Sequence, residues 1–311
     1  MDVEVQYNVR LEKFTTFRLG GYCRGVFMCQ TPAQLVKVVK RFHQTQVPFI
    51  LIGGGSNLLV SDQGVDCFVI RYMSDQPEIV GNGHDLIVSG STQLDHLVLA
   101  AIQRGLEGLN FASGIPGTVG GAVVGNAGAF GKQVGDVVKS VTLLTRSGLQ
   151  KDVPSRELKF SYRNSILKST GDIVLSVEFS LHPSDKMNLN TERNGILEAR
   201  RQKHPDLVIT PCAGSFFRNI EPTSLAQRRQ AAGWFLEQAG GKALRVGGAC
   251  IFDKHANIII KENGACAQDV FALSELMAGL VKEKFNLELI REVRLVGKFK
   301  GMPEDIQDIL W

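Results

Sequence analysis

Hydrophobic residues recur with helical spacing over residues 31–42, TPAQLVKVVKRF. Four apolar side chains fall on one helical face: Leu35, Val38, Val39 and Phe42. Thr31 is a typical N-cap, Pro32 suits the first helical position, and Gln34 completes a capping box. The pattern therefore predicts an amphipathic helix that starts after Thr31.

Short apolar runs between turn residues predict strands on either side of this helix. The runs are FILI at 49–52, DCFVI at 66–70, HDLIVSG at 84–90, VVKSVTLLT at 137–145 and DIVLSVEFSL at 172–181. A second amphipathic helix, LDHLVLAAIQRG at 94–105, ends at a glycine. This mixture of helices and strands predicts an α+β fold.

The chain becomes more polar near residue 186, where the helix-prone stretch NTERNGILEARRQKHP follows LHPSD. We therefore predict two domains, 1–186 and 187–311, with the first divided again near residues 75–85. In the second domain, residues 268–285 carry a helical apolar face: Val270, Leu273, Met277, Leu280 and Val281. Residues 287–297, LELIREVRLVG, predict a strand with leucines and valine on one face and Glu292 with Arg294 on the other.

Composition limits the classes of protein that this chain can be. Of its 311 residues, 44% are hydrophobic and 21% are charged, so the disordered and fibrous classes are excluded. A net charge of +4 without a basic and aromatic run disfavours nucleic-acid binding, although it suits an anionic small molecule. The start of the chain has no apolar signal region and no stretch is long enough to span a membrane. We expect a cytoplasmic protein without a membrane partner.

Cysteine and histidine spacing argues against a metal site. The six cysteines contain no C-x-x-C pair, and the six histidines contain no H-E-x-x-H. We therefore predict reduced thiols, no disulfide framework and no metal.

Glycine is concentrated in two places where the backbone must approach something closely. The stretch FILIGGGSNLLVSD places three glycines behind a predicted strand, and SGIPGTVGGAVVGNAGAFG holds seven glycines in nineteen positions. A dinucleotide fingerprint beginning at Gly53 fails at Leu58, and a P-loop would need glycine and lysine where Leu58 and Leu59 stand. Both a tight turn and a phosphate cradle are compatible with the first stretch.

Three polar segments stand apart from the packing pattern. They are SYRNS with Arg163, AGSFFRN with Ser215, and LELIREVRLVG with Glu292. Each has an ordinary alternative: a solvated arginine, a turn hydroxyl and an exposed strand carboxylate. The G-x-S-x-G elbow of hydrolases is absent from the sequence.

Taken in order, these motifs resemble the UDP-N-acetylenolpyruvoylglucosamine reductase (MurB) family. The motifs are IGGGSNLL, GIPGTVGGAVVGNAGAFG, SYRNS, AGSFFRN, GACIFDKHAN and REVRLVG. The resemblance runs from about Phe17 to Gly297, which is most of the chain. It implies an FAD-binding region of the vanillyl-alcohol-oxidase type and a smaller α/β substrate-binding domain.

The resemblance also implies non-covalent FAD held by two glycine-rich cradles. The first cradle is Gly53, Gly54, Gly55, Ser56, Asn57 and Leu58; the second is Gly117, Gly120, Gly121, Asn126, Ala127 and Gly128. Backbone N–H groups in such loops can surround an anion, and a Cβ there would hold the phosphates away.

In the family, hydride passes from NADPH to FAD and then to the enolpyruvyl ether of a UDP-sugar, giving UDP-N-acetylmuramate for peptidoglycan. By the resemblance, Arg163 and Glu292 stabilise the intermediate and Ser215 donates the proton. A less direct carry-over places Lys203, Asn219 and His255 near the UDP-sugar. Two alternatives stay open: an oxidase of the same FAD-binding superfamily and a non-catalytic nucleotide-binding homologue.

Overall fold

Short strands and helices alternate along the chain, which the computed structural model describes over residues 3–76, 78–222 and 228–302. The α-helices are α1 (Pro32–Gln44), α2 (Leu94–Gln103), α3 (Val119–Gly125), α4 (Leu167–Thr170), α5 (Lys186–Lys203), α6 (Ala232–Gln238) and α7 (Ala267–Phe285). Strands β1 to β9 are Glu4–Arg10, Tyr22–Cys29, Phe49–Ile52, Leu58–Val60, Phe68–Tyr72, Ile79–Asn82, Asp85–Ser89, Leu106–Glu107 and Gly128–Ala129. Strands β10 to β18 are Lys132–Gln133, Val138–Leu144, Gln150–Pro154, Ile173–Ser180, His182–Pro183, Arg245–Val246, Ala249–Phe252, His255–Lys261 and Arg294–Val296.

The first layer is a four-stranded mixed sheet in the order β1, β2, β5, β3. Strand β5 runs parallel to both β2 and β3, while β1 is antiparallel to β2. Helix α1 buries its apolar face in the same cluster as residues of β2, β3 and β5. The predicted capping box of Thr31 and Gln34 is present, so local sequence fixes where this helix begins.

The second sheet has five antiparallel strands in the order β12, β11, β13, β7, β6. Helix α2 packs into the core of this sheet through Leu94, Leu97 and Val98, which are almost fully buried. Gly105 takes a φ of +69° shortly after the helix ends, as the predicted glycine stop requires.

The part of the chain after α5, here called the carboxyl-terminal unit, contains a three-stranded antiparallel sheet, β15 to β17. Helices α6 and α7 pack against it, and the face predicted for α7 buries Val270, Leu273, Met277 and Val281. Leu280 of the predicted face is only partly buried.

A strand pair and a helix cap are among the contacts that join the carboxyl-terminal unit to the amino-terminal part of the chain. Strand β18 pairs in parallel with β4, which directly follows the GGGSN loop. The carboxylate of Asp62 accepts hydrogen bonds from the backbone N–H groups of Ala267 and Gln268 at 2.9 and 3.0 Å. The side chain of Asp62 therefore caps the first turn of α7 from the other unit.

The strand predicted over 287–297 is wrong in extent, because only Arg294–Val296 is a strand. The preceding residues are held instead by the segment around Phe217, which pairs with Arg291 in an isolated bridge. Burial nevertheless alternates as predicted over residues 292–295, since Val293 and Leu295 are buried and Glu292 and Arg294 are partly exposed.

Helix α5 bears on the predicted division of the chain at 186/187. Its Arg193 forms two hydrogen bonds of 2.7 Å with Asp95 of α2, and its Leu189 lies in the core of the five-stranded sheet. These contacts favour a division after α5. The division at 186/187 stays a prediction, and part of the predicted second domain, residues 223–227 and 303–311, lies outside the described residues.

Among the described helices, none combines the length and apolar character that crossing a bilayer requires.

The Arg193 and Asp95 pair generates a prediction about stability. Burial alone would raise the pKa of Asp95, but hydrogen bonds from Arg193 and from the Gly114 N–H outweigh it and lower the pKa. Arg193→Met should lower the free energy of unfolding by about 2 kcal/mol, less than for a fully buried pair because the Asp95 side chain is 34% exposed. Urea unfolding followed by circular dichroism measures the change.

Arg201→Met provides the matched control on the same helix. Arg201 pairs with Glu198, but its side chain is 73% exposed, so we expect a change below about 0.5 kcal/mol. Equal losses in the two variants would contradict a special role for the buried pair.

Candidate active site

The GGGSN loop lies against the second glycine-rich segment. A Cβ on Gly54 would stand 3.0 Å from the Gly117 Cα, and the Ser56 hydroxyl donates to the Pro116 carbonyl at 3.0 Å. A Cβ on Gly53 would collide with the Thr118 side chain. The glycines are therefore needed first for the contact between the two loops, a reason that the sequence did not reveal.

The first loop has the donors that an anion cradle needs. Within the described residues, no protein acceptor faces the backbone N–H groups of Gly54, Gly55 and Ser56. Gly55 also has a φ of +61°, and a Cβ there would collide with the Phe14 carbonyl oxygen. Consecutive N–H groups in such a turn form a nest for a phosphate oxygen, so the residues fit the pyrophosphate of a dinucleotide cofactor.

The second predicted cradle contributes fewer donors than expected. The N–H groups of Gly120, Asn126 and Ala127 bond to Gly90 O, Val123 O and Ala122 O, and that of Gly121 donates to the Thr118 hydroxyl. Each of these amides is already used by the fold around the short helix α3. These amides shape the loop, while Gly117 keeps an N–H without a protein acceptor in the described part of the chain. The assignment of these residues to the second FAD cradle stays a prediction.

Asn126 connects this loop to the SYRNS segment. It is almost fully buried and takes the left-handed conformation, with a φ of +44°. Its amide nitrogen donates to Gln133 Oε1 and to the Ser161 carbonyl, both at 2.8 Å, and its amide oxygen accepts from the Gly135 N–H. The side chain is fully engaged within the protein and positions the next segment.

Arg163 and Glu292, both predicted to stabilise the intermediate, are brought together. Arg163 Nε lies 3.1 Å from Glu292 Oε1, with side-chain exposures of 26% and 18%. The two groups are not oriented for a hydrogen bond. The buried Nε of Arg163 therefore has no hydrogen-bond acceptor within the described structure. The solvated-arginine and exposed-carboxylate alternatives are both wrong, and the guanidinium retains donors for a ligand.

Backbone hydrogen bonds connect the segment of Ser215 to Glu292. The next residue, Phe216, accepts at its carbonyl from the Glu292 N–H at 2.8 Å and donates its own N–H to Asn257 O at 2.8 Å. Asn257 is almost fully buried, and its side chain closes two further hydrogen bonds on the Phe217 backbone. Ser215 is therefore fixed between β17 and the Glu292 segment, in an isolated bridge with Ile258.

Hydrogen bonds also connect the GGGSN loop to the Glu292 and Ser215 segments. The Asn57 amide donates to the Glu292 carbonyl at 3.0 Å, while the Arg294 N–H donates to the Asn57 carbonyl at 3.0 Å. Thr16 bridges in a similar way, because its N–H donates to Gly55 O and its hydroxyl to Cys212 O. The cofactor loop, the Ser215 segment and the Glu292 segment form one hydrogen-bonded unit.

The charge around Glu292 is mainly positive. Burial raises the pKa of Glu292, although Arg163, Lys168 and Arg218 each act in the opposite direction. The Nε of Arg218 is also buried without an acceptor among the described side chains. Several cations facing one carboxylate form a site that can take an anionic ligand.

Of the three residues predicted near the UDP-sugar, Lys203 and His255 are close enough to interact electrostatically, while Asn219 contacts the start of α6. Lys203 is the exposed last residue of α5, and its charge acts on His255. Burial lowers the pKa of His255, and the centre of the His204 ring lies 5.7 Å from that of His255, with the two rings tilted by 37°. Asn219 is exposed, but its side-chain oxygen accepts from the Ala232 N–H at the start of α6.

Sequence reasoning missed several residues of this site. Tyr162 accepts the Asn219 N–H, and the guanidinium of Arg229 lies 3.7 Å from the centre of its ring. Lys168 and Asn257 hold the backbone of the predicted residues from other elements. The only signal for Tyr162 was its place next to Arg163, and for Asn257 its place in KHAN.

Over the described residues there is no cluster of histidine, cysteine and carboxylate side chains that could hold a metal ion.

Two family models match the chain. Residues 204–296 match the C-terminal domain of UDP-N-acetylenolpyruvoylglucosamine reductase, and residues 23–153 match an FAD binding domain. The first match includes Ser215 and Glu292, and the second includes both glycine-rich loops, whereas Arg163 lies between the two matched ranges.

Curated relatives and one solved structure are similar over nearly the whole chain. The UDP-N-acetylenolpyruvoylglucosamine reductase of Lactobacillus acidophilus is 34% identical over 95% of this chain and 96% of its own length. Reductase 1 of Bacillus cereus is 36% identical over 94% and 95%. The crystal structure of the Thermus caldophilus reductase (MurB) has a TM-score of 0.78 at 32% identity, covering 96% of this chain and 100% of that one.

The contact between the two glycine loops generates a prediction about cofactor binding. Gly54→Val places a branched side chain against Gly117, so the loops must separate and the N–H groups of the first loop must move. We expect the purified variant to contain little FAD, measured from the flavin absorbance per protein.

Gly195→Val is the matched control, since a Cβ on Gly195 meets no atom within 4 Å. It should purify with the flavin content of the unmodified protein. Full flavin content in Gly54→Val would show that the first cradle is wrongly assigned.

Proposed function

Because the chain belongs to the UDP-N-acetylenolpyruvoylglucosamine reductase family, we propose that Arg163, Ser215 and Glu292 carry the reduction for which that family is named. The chain is an FAD-containing oxidoreductase of peptidoglycan synthesis that uses NADPH and acts on a UDP-sugar bearing an enolpyruvyl ether. The product is the lactyl ether, UDP-N-acetylmuramate.

The observation that carries the proposed roles is the Arg163 and Glu292 pair beside the backbone of Ser215. These three residues come from distant parts of the sequence. Hydrogen bonds hold the Ser215 and Glu292 segments together and against the loop that fits the cofactor, and Arg163 joins them through its ion pair with Glu292. Bound FAD supplies a hydride acceptor and donor at that place. The N–H groups of Gly54, Gly55 and Ser56 would hold its phosphate groups.

Arg163 stabilises the charge that develops on the substrate. Hydride addition to the terminal carbon puts negative charge on the carbon next to the carboxylate and gives an enol-like intermediate. A guanidinium with an unsatisfied buried donor can bind that carboxylate more strongly as charge builds up. Glu292 orients Arg163, and the surrounding cations offset the burial of its carboxylate.

Ser215 donates the proton that completes the reduction. A serine hydroxyl is a weak acid in water, so its alkoxide must be stabilised by nearby positive charge. The segment after Ser215 is hydrogen-bonded to Glu292, whose carboxylate is surrounded by Arg163, Lys168 and Arg218. This arrangement supports a hydroxyl that gives up its proton in the site and regains it afterwards.

The wider substrate contacts form the less direct part of the proposal. Lys203 would contact the diphosphate as a point charge, with His255 and Asn219 nearer the sugar. The protein would act in the cytoplasm and without nucleic acid. An oxidase or a non-catalytic homologue is disfavoured, because the carboxyl-terminal unit carries the family match and its Glu292 pairs with Arg163.

Arg163→Ala should slow turnover while sparing the fold, because its side chain is partly exposed and lies in a loop. Removing one donor to a developing oxyanion typically costs on the order of 10²–10³-fold in rate. Stopped-flow absorbance should place this loss in flavin reoxidation by the enolpyruvyl substrate. Arg156→Ala, at an exposed position in the same part of the chain, is the control. Normal turnover in Arg163→Ala would refute the assigned role.

Ser215→Ala separates protonation from hydride transfer between cofactors. Flavin reduction by NADPH needs no substrate proton, so it should proceed at close to the normal rate. Reoxidation should slow by on the order of 10²–10⁴-fold, as for loss of a positioned acid. Substrate affinity should change little, because one net hydrogen bond contributes about 1 kcal/mol.

The control for Ser215→Ala is Ser169→Ala, an exposed serine on α4. Equal slowing of both half-reactions in Ser215→Ala would indicate damaged flavin geometry. Normal reoxidation would remove Ser215 as the acid.

A further inference from the structure

The backbone of Arg163 is held in a conformation that it would not adopt alone. Its φ is +53°, in the left-handed region that L-residues with a long side chain rarely occupy. The turn is closed by reciprocal hydrogen bonds between Ser161 and Asn164, at 3.0 and 3.1 Å. Such a conformation persists only when neighbouring groups hold it, and here it determines where the guanidinium points.

Lys168 supplies one of the groups that hold this turn. Its Nζ donates to the Arg163 carbonyl at 2.6 Å, a short charge-assisted hydrogen bond. On the opposite side, the Asn126 amide donates to the Ser161 carbonyl. The turn that carries Arg163 is therefore held from α4 and from the glycine-rich segment at once.

A lysine is an unexpected choice for a purely structural contact at this position. Its ammonium is partly buried and faces the positive charges of Arg163, Arg218 and Arg294, with Glu292 as the opposing carboxylate. Burial lowers the pKa of Lys168 to about 8, and the three arginines add to the lowering. An uncharged donor could bind the same carbonyl without this electrostatic cost.

We propose that Lys168 is a positioning residue for reduction of the enolpyruvyl ether: its ammonium holds the Arg163 carbonyl, and thereby the guanidinium that faces Glu292, where the substrate carboxylate binds. The inference rests on the proposed role of Arg163. It assigns Lys168 no contact with the reacting atoms. The positive charge serves because a charged donor holds the strained turn more firmly than a neutral one.

The principal experiment compares the two half-reactions by stopped-flow absorbance in Lys168→Met, with bound flavin and circular dichroism as checks of folding. Misplacing Arg163 should slow reoxidation by the enolpyruvyl substrate by about 10- to 100-fold, since a shift of this kind has effects of that size. Flavin reduction by NADPH should stay within about twofold of normal. Lys159→Met is the matched control, because Lys159 is an exposed lysine four residues before Arg163.

A double-mutant comparison tests whether Lys168 acts through Arg163. If it does, Arg163→Ala with Lys168→Met should reoxidise no more slowly than Arg163→Ala alone. Multiplied losses would overturn the positioning role. Slowing in Arg163→Ala but not in Lys168→Met would overturn this inference and leave the proposed function standing, whereas no slowing in either variant would overturn the role of Arg163 itself.

A second variant keeps the inference testable if Lys168→Met fails to fold. Below its pKa Lys168 is an ammonium, so the charge-assisted bond is lost as the pH rises through about 8. The value of kcat/KM for the enolpyruvyl substrate should therefore fall on the alkaline side near that pH, and Lys168→Arg, which stays protonated, should lack this fall. An unchanged alkaline fall in Lys168→Arg would overturn the inference.

Discussion

Asn57 couples the cofactor loop to the reaction centre, and the rest of the site depends on that coupling. Its side chain donates to the carbonyl of Glu292, 235 residues later in the chain, and its own carbonyl accepts the N–H of Arg294. The other edge of the Glu292 peptide is held by Phe216. Three distant segments therefore meet at Glu292. The parallel pairing of β4 with β18 extends this contact into the hydrophobic cores of both units.

The site combines a rigid backbone with side chains whose bonding is incomplete. Asn57, Asn126 and Asn257 use their amides to fix the loops, and two of the three are almost fully buried. The guanidinium Nε atoms of Arg163 and Arg218, in contrast, are buried without a hydrogen-bond acceptor in the described structure. Leaving such donors unpaired costs stability, which is expected where a protein prepares a site for an anionic ligand.

Local features were predictable from the sequence because neighbouring residues determine them. The capping box of α1 and the buried stripe of α7 needed no knowledge of distant segments. The candidate residues Arg163, Ser215 and Glu292 were reached through ordered motifs, not through geometry. What could not be predicted was the reason for each glycine: Gly54 makes room for Gly117, a partner 63 positions away by residue number, and sequence pattern carries no record of such contacts.

The same limitation explains why Lys168 and Asn257 were missed. Each acts on a backbone carbonyl or N–H of another segment, so its residue type gives no sign of its partner. Short unpaired loops around a strained turn would adopt many conformations if left to local preferences. Hydrogen bonds from amide and ammonium groups of other elements stabilise one of these loop conformations. The identity of the reacting side chains can thus be read from motifs, while their orientation depends on long-range hydrogen bonds that only the folded chain contains.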